Sequence, residues 1–384
     1  MSRALILEPH DMLLFRDGKP FSAGTETRAR SLFPPTPFTV QGAIRARVLF
    51  SSGVSPADYA SGATPEARRL QELIGAPRRD YGRLRIRGPF LARKEGESWV
   101  RYYPAPADLL VKEGTDREKS SHAVLRPLPT PPWRANFPDD ALCPLWLRIP
   151  DRLKEIRGWV SEGDLQAYLR GDTPRKVCKE EEFLEREPRF GIALEASRRT
   201  VRESYLYLAE FLRLKEGVAF WVEVENLTEQ RLGGASGWMQ LGGEARAVGY
   251  RVTSPALPEL LRVPSPLPER FKVVLLTPAW FSGGWQPEGG DWRRFFTGAV
   301  RLVSAAVLRY QALGGAYVDD RRRTGDFQKP MRRFVPAGSV YFFEARGEVR
   351  LRPGVAALTE TPTGEADFGQ IGFGLFAVGT WDYA

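Results

Sequence analysis

Histidine is nearly missing from this chain: His10 and His122 are the two among 384 residues. Imidazole is the one side chain that titrates unperturbed near neutral pH, so general acid–base work of that kind has only two places to stand. His10 closes the first apolar segment just before Asp11, where a structural histidine is a simpler reading than a catalytic base. His122 falls in a loosely patterned, proline-rich stretch. Cysteine is equally scarce; Cys143 and Cys178 share no metal-ligand spacing, and so few thiols fit a reducing compartment. HExxH, GxSxG and the phosphate-cradling GxxxxGKS/T are all absent. No run approaches the ~18 uninterrupted apolar residues of a membrane span. The opening Met1-Ser-Arg-Ala-Leu-Ile-Leu-Glu8 turns polar too early for a secretory signal. The absences lead to the expectation of a cytoplasmic protein that is not an enzyme, with no membrane partner, cofactor, metal site or catalytic residue.

Positive charge, by contrast, is plentiful. There are 56 Lys and Arg against 47 Asp and Glu, a net +9 and a pI near 9.6, and only ten of the bases are lysine. A basic excess points to an acidic partner, most often nucleic acid. Arginine's planar fork pairs with phosphate through two hydrogen bonds and stacks on bases. A GC-rich genome would also enrich arginine, so composition leaves both readings open.

The pattern along the chain divides it in two. An apolar strand, Ala4 to Leu7, is ended by Pro9; a Gly-, Thr- and Arg-rich loop leads to Leu32-Phe-Pro-Pro-Thr-Pro37. Thr39 then caps a helix from Val40 to about Phe50. Residues 53–186 read as a long insertion rich in proline and charge. Glu203–Leu214 and Val218–Val224 read as a hairpin turned at Lys215-Glu-Gly217. The proline-rich Pro255–Pro268 reads as a linker, giving units at 1–260 and 269–384. The second unit starts with a strand, Phe271–Leu276, and carries another at Pro336–Glu344; Val300–Tyr310 fits strand and helix equally.

Three segments have the composition of an RNA contact. Gly369, Gly372 and Gly374 surround Phe373; bare backbone amides approach phosphates, and the ring can stack on a base. A glycine turn closing a last strand would look the same. Gly242 and Gly243 form a second turn followed by Glu244 and Arg246, where the acid and the base could simply pair. Arg321-Arg-Arg323, Lys329 and Arg332-Arg333 form a basic run offset by Asp319, Asp320 and Asp326. Gly289-Gly-Asp291 resembles a metal-holding polymerase turn, but no second carboxylate stands beside Asp291, and two-metal chemistry needs at least two. Asp139-Asp140 and Asp319-Asp320 are isolated pairs.

Six segments, in order, resemble a known family. They are Glu8-Pro-His-Asp-Met-Leu-Leu-Phe-Arg-Asp-Gly-Lys-Pro-Phe21, Ser31-Leu-Phe-Pro-Pro-Thr-Pro-Phe-Thr-Val-Gln-Gly-Ala-Ile-Arg45, Glu187-Pro-Arg-Phe-Gly-Ile192, Leu241-Gly-Gly-Glu244, Pro336-Ala-Gly-Ser-Val-Tyr341 and the terminal Gly-Phe-Gly. The chain resembles the third Cmr subunit of type III-B CRISPR effector complexes, in the RAMP superfamily. The resemblance implies an α+β fold of two ferredoxin-like (RRM-like) domains, the first carrying the long insertion. It implies a non-catalytic subunit that grips the 5′ tag of the crRNA, beside the large polymerase-like subunit and the first backbone RAMP subunit. Within that frame Arg16, Arg28, Arg30 and Arg45 of the first unit are expected to face the tag. Arg332, Arg333 and the terminal glycine loop are expected to approach it from the second, and the insertion is expected to supply a wedging hairpin. The rivals are a metal-free guide-processing endoribonuclease using His10, and a scaffold that binds only proteins.

Overall fold

The computed structural model describes residues 2–16, 28–77, 80–112, 122–131, 142–150, 152–194, 201–254, 259–315 and 329–384. Two antiparallel sheets form its frame. The larger runs, edge to edge, Trp159–Ser161, Ser98–Pro104, Arg85–Glu95, Val218–Glu225, Ser2–Pro9, Ala247–Thr253, Ser236–Gln240. The smaller runs Phe296–Ala306, Val340–Leu351, Arg270–Leu275, Phe376–Thr380. In the smaller sheet, and among the four central strands of the larger (Arg85–Glu95, Val218–Glu225, Ser2–Pro9, Ala247–Thr253), the strand that comes first in sequence lies between the third and the last of the four, with the second outside the third. The second of these sheets repeats the central order of the first.

Period-two alternation explains how the sheets pack. In Ser2–Pro9, Leu5 and Leu7 enter one core while Ala4 and Ile6 enter another, and all four are buried. The Leu5 side meets helices; the Ala4 side meets the second sheet, where Val274, Val340, Phe342 and Ala377 wait. The second sheet's outer face carries Phe271, Val273, Tyr341 and Phe343. Among the described residues its crossovers contain no α-helix. The Trp- and Gly-rich loop after Leu275 covers that face instead, with Trp292 4.9 Å from Phe343.

The first three helices share one start device, a hydroxyl followed by proline. Helix α1 (Pro37–Ser52) is capped by Thr36, α2 (Pro56–Ser61) by Ser55 and α3 (Pro65–Ile74) by Thr64, each side chain accepting a backbone N–H three residues on. The helix expected to begin at Val40 thus begins a turn earlier, because Pro37 sits at its first position. A fourth helix, α4 (Glu162–Leu169), packs between the sheets.

Two expectations are corrected. The stretch 53–186 is not an appendage: Arg85–Glu95 and Ser98–Pro104 are interior strands of the main sheet. Their charged ends and Pro89 hide the apolar centre Phe90-Leu-Ala92, which is fully buried. Val201–Leu214 pairs with Leu184–Leu194 and not with Val218–Glu225, which joins the main sheet. The turn at Lys215–Gly217 exists but carries the chain from one sheet to another, since both flanking strands have apolar partners elsewhere.

A buried polar group joins the halves. Asp108, wholly buried, accepts from the Tyr168 hydroxyl at 2.8 and 2.7 Å on its two oxygens. The Lys272 ammonium lies 3.5 Å above the Tyr168 ring. Burial pulls Lys272 down to about 8, with Asp108 opposing the shift, and burial pushes the Asp108 carboxyl up.

Candidate nucleic-acid interface

Between the halves opens a cleft of about 880 Å³. One wall is the Leu32–Pro37 segment and Trp159, the other Val307–Gln311 with Pro336. Phe33 stands edge-on to Trp159 at 5.5 Å, which fixes the first wall. On the second, Val307, Leu308 and Tyr310 are exposed, Tyr310 at 48%. Arg333, in the short strand Arg332–Phe334, lies 4.8 Å over the Tyr310 ring. Arg157, Lys179 and Arg309 line the same cleft, against Glu155, Glu180 and Glu181. Glu180 is already paired with Arg186 at 2.7 Å. An exposed ring backed by a guanidinium and flanked by cations is suited to hold an unstacked base and its phosphate.

The predicted residues scatter. Arg16 bridges Ser31 through the backbone, Arg28 pairs with Leu208, and Arg30 is exposed on the same run, just before the cleft wall. Arg45 is turned inward: its guanidinium donates to the Gly75 carbonyl at 3.2 Å and to Tyr59 and Gln41 at 3.4 Å. It also sits 5.6 Å from the Tyr81 ring, so it ties α1 to the loop after α3 instead of facing solvent. Gly242 and Gly243 close on Leu14, whose carbonyl accepts the Gly243 N–H at 2.8 Å. Arg246 reaches Asp11 at 3.3 Å and Glu244 at 3.7 Å and lies 5.0 Å over Phe211, so here the acid and base do pair.

The terminal glycine segment is a seam. Phe373 is 0% exposed and packs 4.6 Å from Phe38 of α1 and 4.8 Å from Phe334. A base cannot stack on a ring so enclosed. A Cβ at Gly372 (φ +104°) would collide with the Gly88 carbonyl, and one at Gly374 (φ +67°) would sit 2.7 Å from Leu358 backbone. Gly369 opens a short 3-10 turn, and Gln370 donates to the carbonyls of Gly82 and Leu84 at 2.6 and 2.8 Å. Beside the seam Lys329 donates to the Tyr81 hydroxyl at 2.9 Å and faces Glu365 at 3.6 Å; burial pulls its ammonium down. Arg332 meets Glu365 at 3.8 Å. The run Arg321–Arg323 and the pairs Asp139-Asp140 and Asp319-Asp320 lie outside the described residues.

The family described as CRISPR-associated protein (Cas_Cmr3) matches residues 5–381. The chain belongs to that family. Cas_Cmr3 chains are subunits of type III CRISPR effector complexes, as the ordered motifs implied. No curated protein matches. Among solved structures, a chain of the type III-B Cmr-beta complex bound to cognate target RNA and AMPPnP is 17% identical, with 88% of this chain and 86% of that one covered and a TM-score of 0.46. Cmr-beta bound to cognate target RNA gives 18%, the same coverage and 0.46. The Csm3–Csm4 subcomplex of the type III-A interference complex gives 11%, 92% and 99% coverage, and 0.40.

Reasoning from sequence missed the Cas_Cmr3 cleft residues Arg157, Lys179, Arg309 and Tyr310. Tyr310 had a trace: an aromatic next to arginine, Arg309-Tyr310, directly follows the mostly apolar Val303–Leu308. His10 stacks on Trp238, and the His122 ring pairs with the Pro174 carbonyl at 3.1 Å; neither lines the cleft. Among the described residues no helix is long and apolar enough to cross a membrane.

Proposed function

We propose that this Cas_Cmr3 chain is a non-catalytic guide-RNA subunit that holds the 5′ tag of the crRNA in the cleft between its halves. The Tyr310–Arg333 stack at the cleft mouth carries the reading: it offers a flat apolar surface and a positive charge in one place, open to solvent. Single-stranded RNA is bound by this combination of base stacking and phosphate neutralisation. Arg30, beside the first wall, and Arg157, Lys179 and Arg309 would neutralise the backbone. The shared strand order, second–third–first–last, supports two ferredoxin-like units. The long hairpin Leu184–Leu194/Val201–Leu214, with Phe190 76% exposed, would be the wedge against the guide. The large polymerase-like subunit and the first backbone subunit are the proposed neighbours.

The test is binding of the purified chain to RNA bearing a CRISPR repeat tag, with and without the large subunit, across a salt series. Tag-dependent affinity that strengthens with the partner and falls with salt is expected. Four phosphate contacts would give a log–log slope of about −3. Partner binding with no gain in RNA affinity would leave a protein adaptor instead.

A further inference from the structure

The two ends of the large sheet are treated differently. At one end Trp159–Ser161 has only three residues, and its outer side is closed by Cys178, which exchanges both backbone hydrogen bonds with Trp159 at 2.8 Å. In the second sheet the edge strand Phe296–Ala306 carries two register shifts, and Cys143 donates to its Val303 carbonyl at 2.7 Å. Short length, bulges and covering segments are the usual protections of a sheet edge. Ser236–Gln240, at the other end of the large sheet, has none of them. It pairs with Ala247–Thr253 over five residues in unbroken register, contains no proline, lysine or other charged residue, and has no strand on its outer side among the described residues.

The backbone groups left over can be assigned. Val252 donates to Ala235 at 2.7 Å and Leu241 to Arg246 at 2.8 Å, so the odd-numbered residues 235 to 241 make the inner ladder. In an antiparallel pair the intervening residues then point their N–H and C=O away from the partner. Ser236, Trp238 and Gln240 therefore present three donors and three acceptors outward at strand spacing. In the middle stands Trp238, 49% exposed, with the His10 ring stacked on it at 3.8 Å and 25°. It lies over Gly249, where a Cβ would come within 3.5 Å of the indole. The ring is held in place on the protein side and offers its free surface to solvent.

We propose that Ser236–Gln240 is a docking edge for an extended segment of a partner polypeptide, which adds as an eighth strand and lays an apolar side chain on Trp238. The geometry selects a polypeptide because only an extended main chain matches alternating donors and acceptors at this spacing. Charge selects against nucleic acid. The strand is uncharged, and the nearest arginine opposite it, Arg251, faces Glu8 at 3.8 Å. Tryptophan is among the residue types enriched in the few positions that carry most of an interface's binding energy. The edge is separate from the cleft, so its function does not depend on where RNA binds.

Amide hydrogen exchange on the full chain, free and assembled with the remaining subunits of a type III-B complex, tests the edge. The amides of Ser236, Trp238 and Gln240 are expected to exchange quickly in the free chain and at least ~100-fold more slowly in the complex. Trp238→Ser and Gln240→Pro are expected to weaken incorporation at least tenfold, with melting temperature and RNA affinity of the free chain unchanged. Gln240→Pro removes an outward donor and leaves the inner ladder intact. Should Gln240→Pro fail to fold, Trp238→Ser and the exchange data decide. Unprotected amides in the assembled complex, or normal incorporation of Trp238→Ser, would overturn the proposal. So would protection produced by tag RNA alone, or by raising the concentration of the free chain, which would assign the edge to nucleic acid or to a second copy.

Discussion

The seam around Phe373 and the cleft around Tyr310 are made of similar parts and do opposite things. Each lies where the first half meets the second, each holds aromatic rings, and each has cations beside them. At the seam Phe38, Phe334, Phe368 and Phe373 interlock, and glycines let two backbones touch where a side chain would not fit. At the cleft the rings stop short of each other: Val307, Leu308 and Tyr310 stay exposed, and the guanidinium over Tyr310 faces solvent. Aromatic and glycine content therefore does not distinguish a glue line from an open cleft. What distinguishes them is whether a partner ring from the other half arrives.

Substitutions should separate the two. Phe373→Ala is expected to lower unfolding free energy by about 3–5 kcal/mol, the usual cost of emptying a buried phenylalanine site, and chemical denaturation reads it. RNA affinity per folded molecule should not move; a selective loss of RNA binding at unchanged stability would put Phe373 back in the binding site. The inter-sheet lysine gives the next effect. A lysine near 8 in the fold and near 10.5 unfolded binds its proton more tightly in the unfolded chain. Stability should therefore rise as pH climbs through that window, by up to about 3 kcal/mol. Lys272→Met should flatten that rise when unfolding is compared at pH 7.5 and 10. Tyr310→Ala should weaken tag RNA about tenfold, the loss of one stacked base, while the denaturation midpoint stays put. Tyr310→Phe should keep most of the affinity. Arg309→Ala should be the mildest, reducing the salt slope by about 0.7 without tag selectivity changing. Equal slopes in the two proteins would take Arg309 out of the contact.

Parts of both units were visible in the chain itself. The apolar Ala4–Leu7, the body of the helix from Val40 to about Phe50 and the strand at Phe271 announce themselves through local chemistry, and the structure puts elements there. Arg85–Glu95 did not, because its apolar centre is three residues long and the rest reads as surface. Val201–Leu214 found a partner upstream and not the neighbour a tight turn suggested; strand pairing is decided by which apolar faces match across the whole chain. The site was less legible for the same reason. Arg45 and Arg30 look alike in sequence, and only the position of α2 and the loop after α3 makes one of them internal. Phe373 carries the composition of a stacking ring, but Phe38, more than three hundred residues earlier, occupies the place of the base.

The central position of Ser2–Pro9 also sets a timetable. Its two sheet neighbours, Val218–Glu225 and Ala247–Thr253, leave the ribosome more than two hundred residues later. At ~5–20 residues per second the first strand waits roughly ten to fifty seconds before either can pair with it. During that interval Ala4, Leu5, Ile6 and Leu7 have no sheet to enter, and the nascent chain needs something to shield them. Slower translation of the middle of the chain would lengthen the wait and lower the yield of soluble subunit, while a co-expressed chaperone that holds apolar N-terminal segments would restore it.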